Sequence, residues 1–248
     1  MTAPFPTHRQ ERWRYADLDA LKPVWEQFAE PVTLTIGVGE ELEEVWLPTS
    51  DDVQLRRVEI ALEANAKARI FALNTARVYG RIELEVSLAE GAEFELFGAN
   101  IGTGLSTNEI VTVVKHIGVG GRSRQTIRSV LNGKATGSYL GRVEVARGAQ
   151  QTDAEQSVKA MLLDRGATAN CKPELEIFAD DVKCAHGATV GELDAMQLFY
   201  AESRGLDPVS ARALLLEGFV MGLWDGIENA AQHVAIATAA KDALRRVV

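Results

Sequence analysis

Only two cysteines occur in 248 residues, so no disulfide framework holds this chain together. Free thiols favour a reducing setting, and the cytoplasm is the expected location. Aromatic residues are scarce at 6%, which excludes a core built on bulky rings. The abundant Gly, Ala and Val suit a thin, repetitively stacked core instead. A basic excess is missing too: 26 Lys and Arg face 35 Asp and Glu, for a net charge of −9. That balance argues against nucleic acid, whose phosphates need a basic footprint, and against anionic membranes. No run approaches the ~18 apolar residues that cross a bilayer. The opening MTAPFPTHRQERWRY has no apolar stretch of the kind a secretory signal requires. What remains is ordinary for a soluble globular protein, 46% apolar and 25% charged, and long enough for one large domain with a helical appendage.

Several catalytic signatures are absent as well. Gly133-Lys134 is preceded at the required position by Arg128 and followed by Ala135, so there is no phosphate-cradling loop. No H-E-x-x-H occurs, and Gly137-Ser138 has the wrong offset for a nucleophile elbow. Gly98–Gly104 lacks the strand–turn–helix context of a dinucleotide site. The sequence therefore offers no nucleotide-binding loop of its own.

Three regimes of hydrophobic periodicity follow one another. Residues 7–30 read as a short helical lead-in, with Trp13, Asp17, Leu18, Leu21, Trp25 and Phe28 among charges and Pro23 interrupting. From Val32 the period becomes two. Polar and apolar residues alternate at 33–36, 58–62, 81–86, 93–97, 109–114, 142–145 and 174–177, the pattern of half-buried strands. Small-residue corners recur at Ala64-Asn65, Gly91-Ala92, Gly120-Gly121, Gly148-Ala149, Gly166-Ala167 and Gly187-Ala188. No helix-length pattern intervenes, so βαβ crossovers are not expected. Short strands joined by such corners point to a β-solenoid; a sandwich or jelly roll shares these features and stays open at this point.

After Gly191 the period is helical. Leu193–Arg204 reads as a helix with Gly205 placed to end it. Asp207 and Pro208 cap and start the next, whose expected apolar face is Ala211, Leu214, Leu215, Gly218, Phe219 and Leu223. A last helix spans about Glu228 to Arg246, with Arg245-Arg246 suiting its negative end. This tail is expected to cap an open end of the solenoid.

The densest chemistry lies in Lys172–Asp194, KPELEIFADDVKCAHGATVGELD. Cys184 and His186 are two apart, so in a strand they project from one face. A thiol and an imidazole offer soft ligands to iron or sulfur, but two ligands do not complete a tetrahedral site. Cys171, 13 residues before Cys184, reads as a small packing residue. Asp180-Asp181 are neighbours that point apart in an extended chain, which spoils a shared acid/base site and suits a corner. His8 and His233 read as solvated, and His116 has nothing reactive beside it in sequence. Arg122, Arg124 and Arg128 read as a solvated face.

This segment, with LFYAESRGLDPVSARALLLEGF (Leu198–Phe219) and ERWRYADLDAL (Glu11–Leu21), resembles the SufD subunits of the SufB/SufD family of the SUF iron–sulfur cluster assembly system. The cysteine-containing V-K-C before His186-Gly187-Ala188-Thr189-Val190-Gly191 is similar to SufD, where SufB-type proteins typically carry H-E-A-T. The resemblance implies a mainly β fold: a right-handed parallel β-helix over about 32–190, between a helical segment at 1–31 and a helical domain at 191–248. It implies that Cys184 and His186 meet a SufB-type partner, His186 serving cluster assembly, with metal ligation shared between the two proteins. Leu198, Phe199, Tyr200, Arg204, Leu214, Leu215 and Phe219 would dock a SufC-type ATPase. A transient cluster would form at the complex interface, none would be bound by this chain alone, and the chain would catalyse nothing by itself. Family members are commonly longer at the N-terminus, with more coils. Two other readings are a self-sufficient homodimer, each copy bringing Cys184 and His186, and a carbohydrate-active β-helix enzyme. The latter needs gathered acids and bases that the sequence does not show.

Overall fold

The computed structural model describes residues 4–248. Twelve strands wind into six turns of a parallel β-helix, two strands per turn. The first sheet contains β1 (Val32–Ile36), β3 (Val53–Leu62), β5 (Tyr79–Leu88), β7 (Thr107–His116), β9 (Thr136–Val145) and β11 (Thr168–Ile177) in that order. The second contains β2 (Glu41–Trp46), β4 (Lys67–Asn74), β6 (Glu93–Gly102), β8 (Arg122–Leu131), β10 (Asp153–Leu162) and β12 (Lys183–Gly191). The strand alternation therefore resolves as a solenoid and not a sandwich.

Val58 lies beside Val32 and Thr168 beside Thr136, so one turn takes 26 residues near the start and 32 near the end. Most of the expected corners mark this repeat. Asn65, Gly91, Gly120 and Gln151 share the left-handed conformation at one corner, where each amide bonds to a carbonyl of the following turn. Gly166-Ala167 is also a corner, on the opposite side of the coil beside Gly133. One expectation needs correction. Gly187-Ala188 is not a corner but mid-strand in β12, where both residues are exposed, and the turn before it is made at Asp180-Asp181.

The interior is a column of small and aliphatic side chains, including Ile70, Leu84, Val86, Leu96, Ile110, Ile127 and Val143, all buried. Full burial of each is worth about 1.5–3 kcal/mol. Threaded between them are satisfied polar side chains: Gln54 donates to Asn74 Oδ1 at 2.8 Å, and Asn74 to Asn100 Oδ1 at 3.0 Å.

The N-terminal segment contains α1 (Leu18–Leu21), capped by Asp17, and α2 (Trp25–Phe28), and lies over the outer face of the first sheet. It is pinned by Arg81, whose guanidinium sits 3.7 Å from the Trp13 ring centre. Arg81 also donates to Glu83 (2.7 Å), Glu109 (3.0 Å) and the Arg12 carbonyl (2.8 Å). Burial pushes the Glu83 carboxyl up, but Arg81, Arg57 and Arg12 pull it below its ordinary value.

The C-terminal helices are α3 (Ala195–Ser203), α4 (Pro208–Val220) and α5 (Ala230–Arg245). Asp207 accepts from Val209 and Ser210 amides, and Gly205 adopts φ +98°. These helices do not cap the solenoid end. They lie along the outer face of the second sheet, where Phe71, Leu73, Ala99, Ile101 and Val130 meet Leu216, Val220, Trp224, Ile236 and Leu244. That outward apolar stripe demands cover more strongly than the end does. The buried face of α4 is accordingly Ala211, Leu216 and Val220, while Leu214 and Gly218, expected on it, are exposed.

Candidate functional site

The last turn of the β-helix is left uncovered. Among the described residues β11 hydrogen-bonds only to β9, and β12 only to β10. Every β12 residue except half-buried Cys184 is exposed, and Ile177 and Phe178 stand exposed on the same rim.

Pairing register decides which side chains enter this mouth. Ala154, Gln156, Val158 and Ala160 of β10 are buried inside, and opposite them stand Cys184, His186, Ala188 and Val190. Cys184 and His186 are thus inward-facing on the terminal strand. Cys171 is inward on β11, next to Tyr139. Both cysteines are free and pack against the solenoid core. Burial pushes both thiols above the ordinary cysteine value, so neither is a ready thiolate without a cationic or metal neighbour.

A polar column runs up to this mouth that the sequence did not disclose. Leu96, Gln125, Gln156 and His186 occupy successive positions in the second sheet. Tyr139 sits between the glutamines, its hydroxyl 3.0 Å from Gln125 Oε1 and 2.9 Å from Gln156 Oε1, and Thr112 donates to Gln125 at 2.6 Å. Gln156 Nε2 donates to the Glu174 carbonyl of β11. Gly141 makes room for this: a Cβ there would lie 2.0 Å from the Tyr139 hydroxyl. The only sequence signal was a tyrosine and two glutamines at inward strand positions, legible once the register was known.

The two free edges differ. Lys183 N bonds to Thr152 O, so the alternate residues Cys184, His186, Ala188 and Val190 turn their amides and carbonyls to the open edge. In β11, Thr168 N bonds to Ala135 O and Phe178 N to Val145 O, which turns Pro173 to the open edge. Proline brings no donor, so the β11 edge is broken at its centre while the β12 edge is continuous.

The residues expected to dock an ATPase divide into two groups. Phe199, Tyr200 and Leu214 are exposed, with Met196 and Val209 beside them in sequence on the same two helices. Arg204 lies over the Tyr200 ring at 5.1 Å. Leu198 and Leu215 are half-buried, and Phe219 packs against the sheet-side cluster beneath Arg128. Arg122 and Arg124 are exposed among acidic neighbours, as expected of a solvated face, but Arg128 is half-buried. His116, with nothing reactive beside it in sequence, is fully buried and meets Ser123 Oγ at 2.9 Å across the corner. Burial pushes its pKa down to about 4. His8 is not simply solvated, since its Nδ1 lies 3.1 Å from the Trp13 carbonyl.

No group of three or more metal-ligating side chains is gathered anywhere among the described residues. Cys184 and His186 fit a soft metal or sulfur species as part of a ligand set and not as the whole of one. No helix among the described residues is long and apolar enough to cross a membrane.

The class defined by this geometry is a parallel β-helix with an uncovered terminal turn and an inward cysteine and histidine on its last strand. The SufBD core domain of SUF-system FeS cluster assembly matches residues 44–219, and the chain belongs to this SufB/SufD family. It is 31% identical over 180 residues to an iron-sulfur cluster assembly SufBD family protein of Synechocystis, covering 72% of this chain and 40% of that protein. It is 36% identical over 107 residues to the iron-sulfur cluster assembly protein SufD of Escherichia coli, covering 43% of this chain and 25% of that protein. The SufD of Bacillus subtilis is 27% identical over 164 residues, covering 66% and 36%. The chain thus spans less than half the length of these relatives.

Proposed function

We propose that this chain is a SufD-type subunit of a SUF scaffold complex, joined at its uncovered β-helix end to a SufB-type partner. The observation that carries the reading is the terminal turn: Cys184 and His186 face inward on a strand whose edge is continuous and unpaired. An exposed flat edge of this kind is a template for another strand. The half-set of ligands then makes sense, the partner supplying the rest around a nascent iron–sulfur cluster, which is cargo and not a resident group. The exposed apolar residues Phe199, Tyr200 and Leu214 on α3 and α4 suit a SufC-type ATPase, the source of the nucleotide chemistry for which the chain has no loop. On this reading the chain catalyses no step alone and works in the reducing cytoplasm, where Cys171 and Cys184 stay free thiols. Two copies joined end to end, each contributing Cys184 and His186, are the alternative.

His186→Ala decides the central point. The side chain is exposed and makes no hydrogen bond among the described residues, so folding and partner association stay at wild-type level while cluster assembly on the co-expressed complex falls. Wild-type cluster assembly by the His186→Ala complex refutes the role given to His186. Failure of the wild-type chain to co-purify with SufB-type and SufC-type subunits refutes the complex.

A further inference from the structure

The outer face of the second sheet carries two columns of alternating charge. One column runs Glu41, Lys67, Glu93, Arg122, Asp153, Lys183 through successive register positions of all six strands. The other runs Glu43, Arg69, Glu95, Arg124, Glu155 and then stops at uncharged Ala185. At the start of each column the neighbours form ion pairs, Lys67 with Glu41 at 3.4 Å and Arg69 with Glu43 at 2.9 Å. Not one of the ten steps sets like charges side by side. Like charges directly opposite on adjacent strands are unfavourable and opposite charges favourable, so the order favours this register.

The first column breaks off at Lys183, which is exposed and in no ion pair among the described residues. β12 is also the strand with the continuous free edge. We infer that the strand completing this sheet carries an acidic, outward-facing residue opposite Lys183, and that it belongs to a different chain and not to a second copy of this one. The inference rests on the pairing reading above and specifies the partner's chemistry.

The case against a second copy is in the sequence of β12 itself. Lys183–Gly191 contains no acidic residue. Facing residues on paired strands point to the same side of the sheet, so only the outward positions of an incoming β12 could meet Lys183. Those are Lys183, Ala185, Gly187, Thr189 and Gly191, none of them acidic. Self-pairing through β12 would therefore end the column on an unanswered lysine; a second copy's β11 carries outward Glu174 and Glu176, but its free edge is interrupted at Pro173 and makes a poor mate for the continuous β12 edge.

A lysine on an edge strand can also serve only to keep other chains away. Charge reversal separates the two roles, because glutamate guards an edge as well as lysine does. The test measures association of the full chain with the co-expressed SufB-type subunit. Lys183→Glu weakens binding about tenfold, and Lys183→Arg leaves it unchanged, as like-charge juxtaposition at an interface predicts. One acid-to-lysine change in the partner's edge strand restores binding to Lys183→Glu and to no other variant. Wild-type binding by Lys183→Glu, with the native pair associating normally, overturns the inference and leaves the pairing reading standing. If the native pair does not associate, the pairing reading itself fails. A wild-type homodimer in light scattering that Lys183→Glu dissolves overturns the assignment to a different chain.

Discussion

Replacing Arg81 by methionine tests how the N-terminal segment is held to the β-helix. Arg81 is fully buried and its guanidinium makes four hydrogen bonds, two to Glu83, one to Glu109 and one to the Arg12 carbonyl. Glu109 is fully buried too. It keeps only the Tyr79 hydroxyl at 2.7 Å once Arg81 is gone, because its Oε1 has no partner among the described residues. Removing one partner of a buried ion pair costs about 3–5 kcal/mol, since the other charge is left unpaired. At roughly 2–4 °C per kcal/mol for a domain of this size, the midpoint falls by about 10 °C. Glu83 retains Arg57 at 3.3 Å and Arg12 at 3.4 Å, so the loss centres on Glu109. The double variant Arg81→Met/Glu109→Gln removes the stranded charge, keeps the Tyr79 bond, and recovers about half of the loss. Urea denaturation of the three proteins measures this. The sign with pH is fixed as well. Against burial, Arg81 does most to hold the Glu83 carboxyl below its ordinary value, and that depressed pKa gives the wild type stability above the carboxylate range that is lost as pH falls through it. The gap between wild type and variant therefore narrows in acid. A loss below about 1 kcal/mol, or a double variant no more stable than the single one, refutes the reasoning.

Two further outcomes follow from the geometry. His116 has a folded-state pKa of about 4 against 6.5 for the free side chain, so the unfolded chain takes up its proton first as pH falls. Stability is lost from about pH 6.5 down to 4, by up to about 3 kcal/mol, and denaturation midpoints of a His116→Gln chain lack that share of the acid slope. On the helical domain, Phe199→Asp with Leu214→Asp changes two exposed side chains, so the melting temperature stays within a few degrees while pull-down of a SufC-type ATPase is lost. Undiminished pull-down places the ATPase elsewhere.

The fold was legible in the sequence where the outer face of a strand carries charge. Val58–Leu62 and Arg81–Val86 alternate cleanly because charged side chains point outward and aliphatic ones inward. β4 lacks this alternation because the second sheet is covered on its outer face by helices, so Phe71 and Leu73 are apolar on the side expected to be polar. The same feature explains the misplaced tail: an apolar stripe on an outer face is invisible until the register shows which residues point out. Cys184 and His186 were readable as a same-face pair from their spacing alone. Their place at an uncovered end, the Tyr139–Gln156 column behind them and the free edge at Lys183 depend on pairings across about 30 residues, which no local pattern encodes.

Each turn of this solenoid is held by its neighbours, and the last turn has only one. Cooperativity in such a stack decays with distance along the axis, so the molecule does not open uniformly. β11 and β12 pair on one side only and are expected to open before the turns between β3 and β8, which are held on both sides and lie under the packed helices. Seating a further layer of sheet against the strand that bears Cys184 and His186 would raise the cost of opening it.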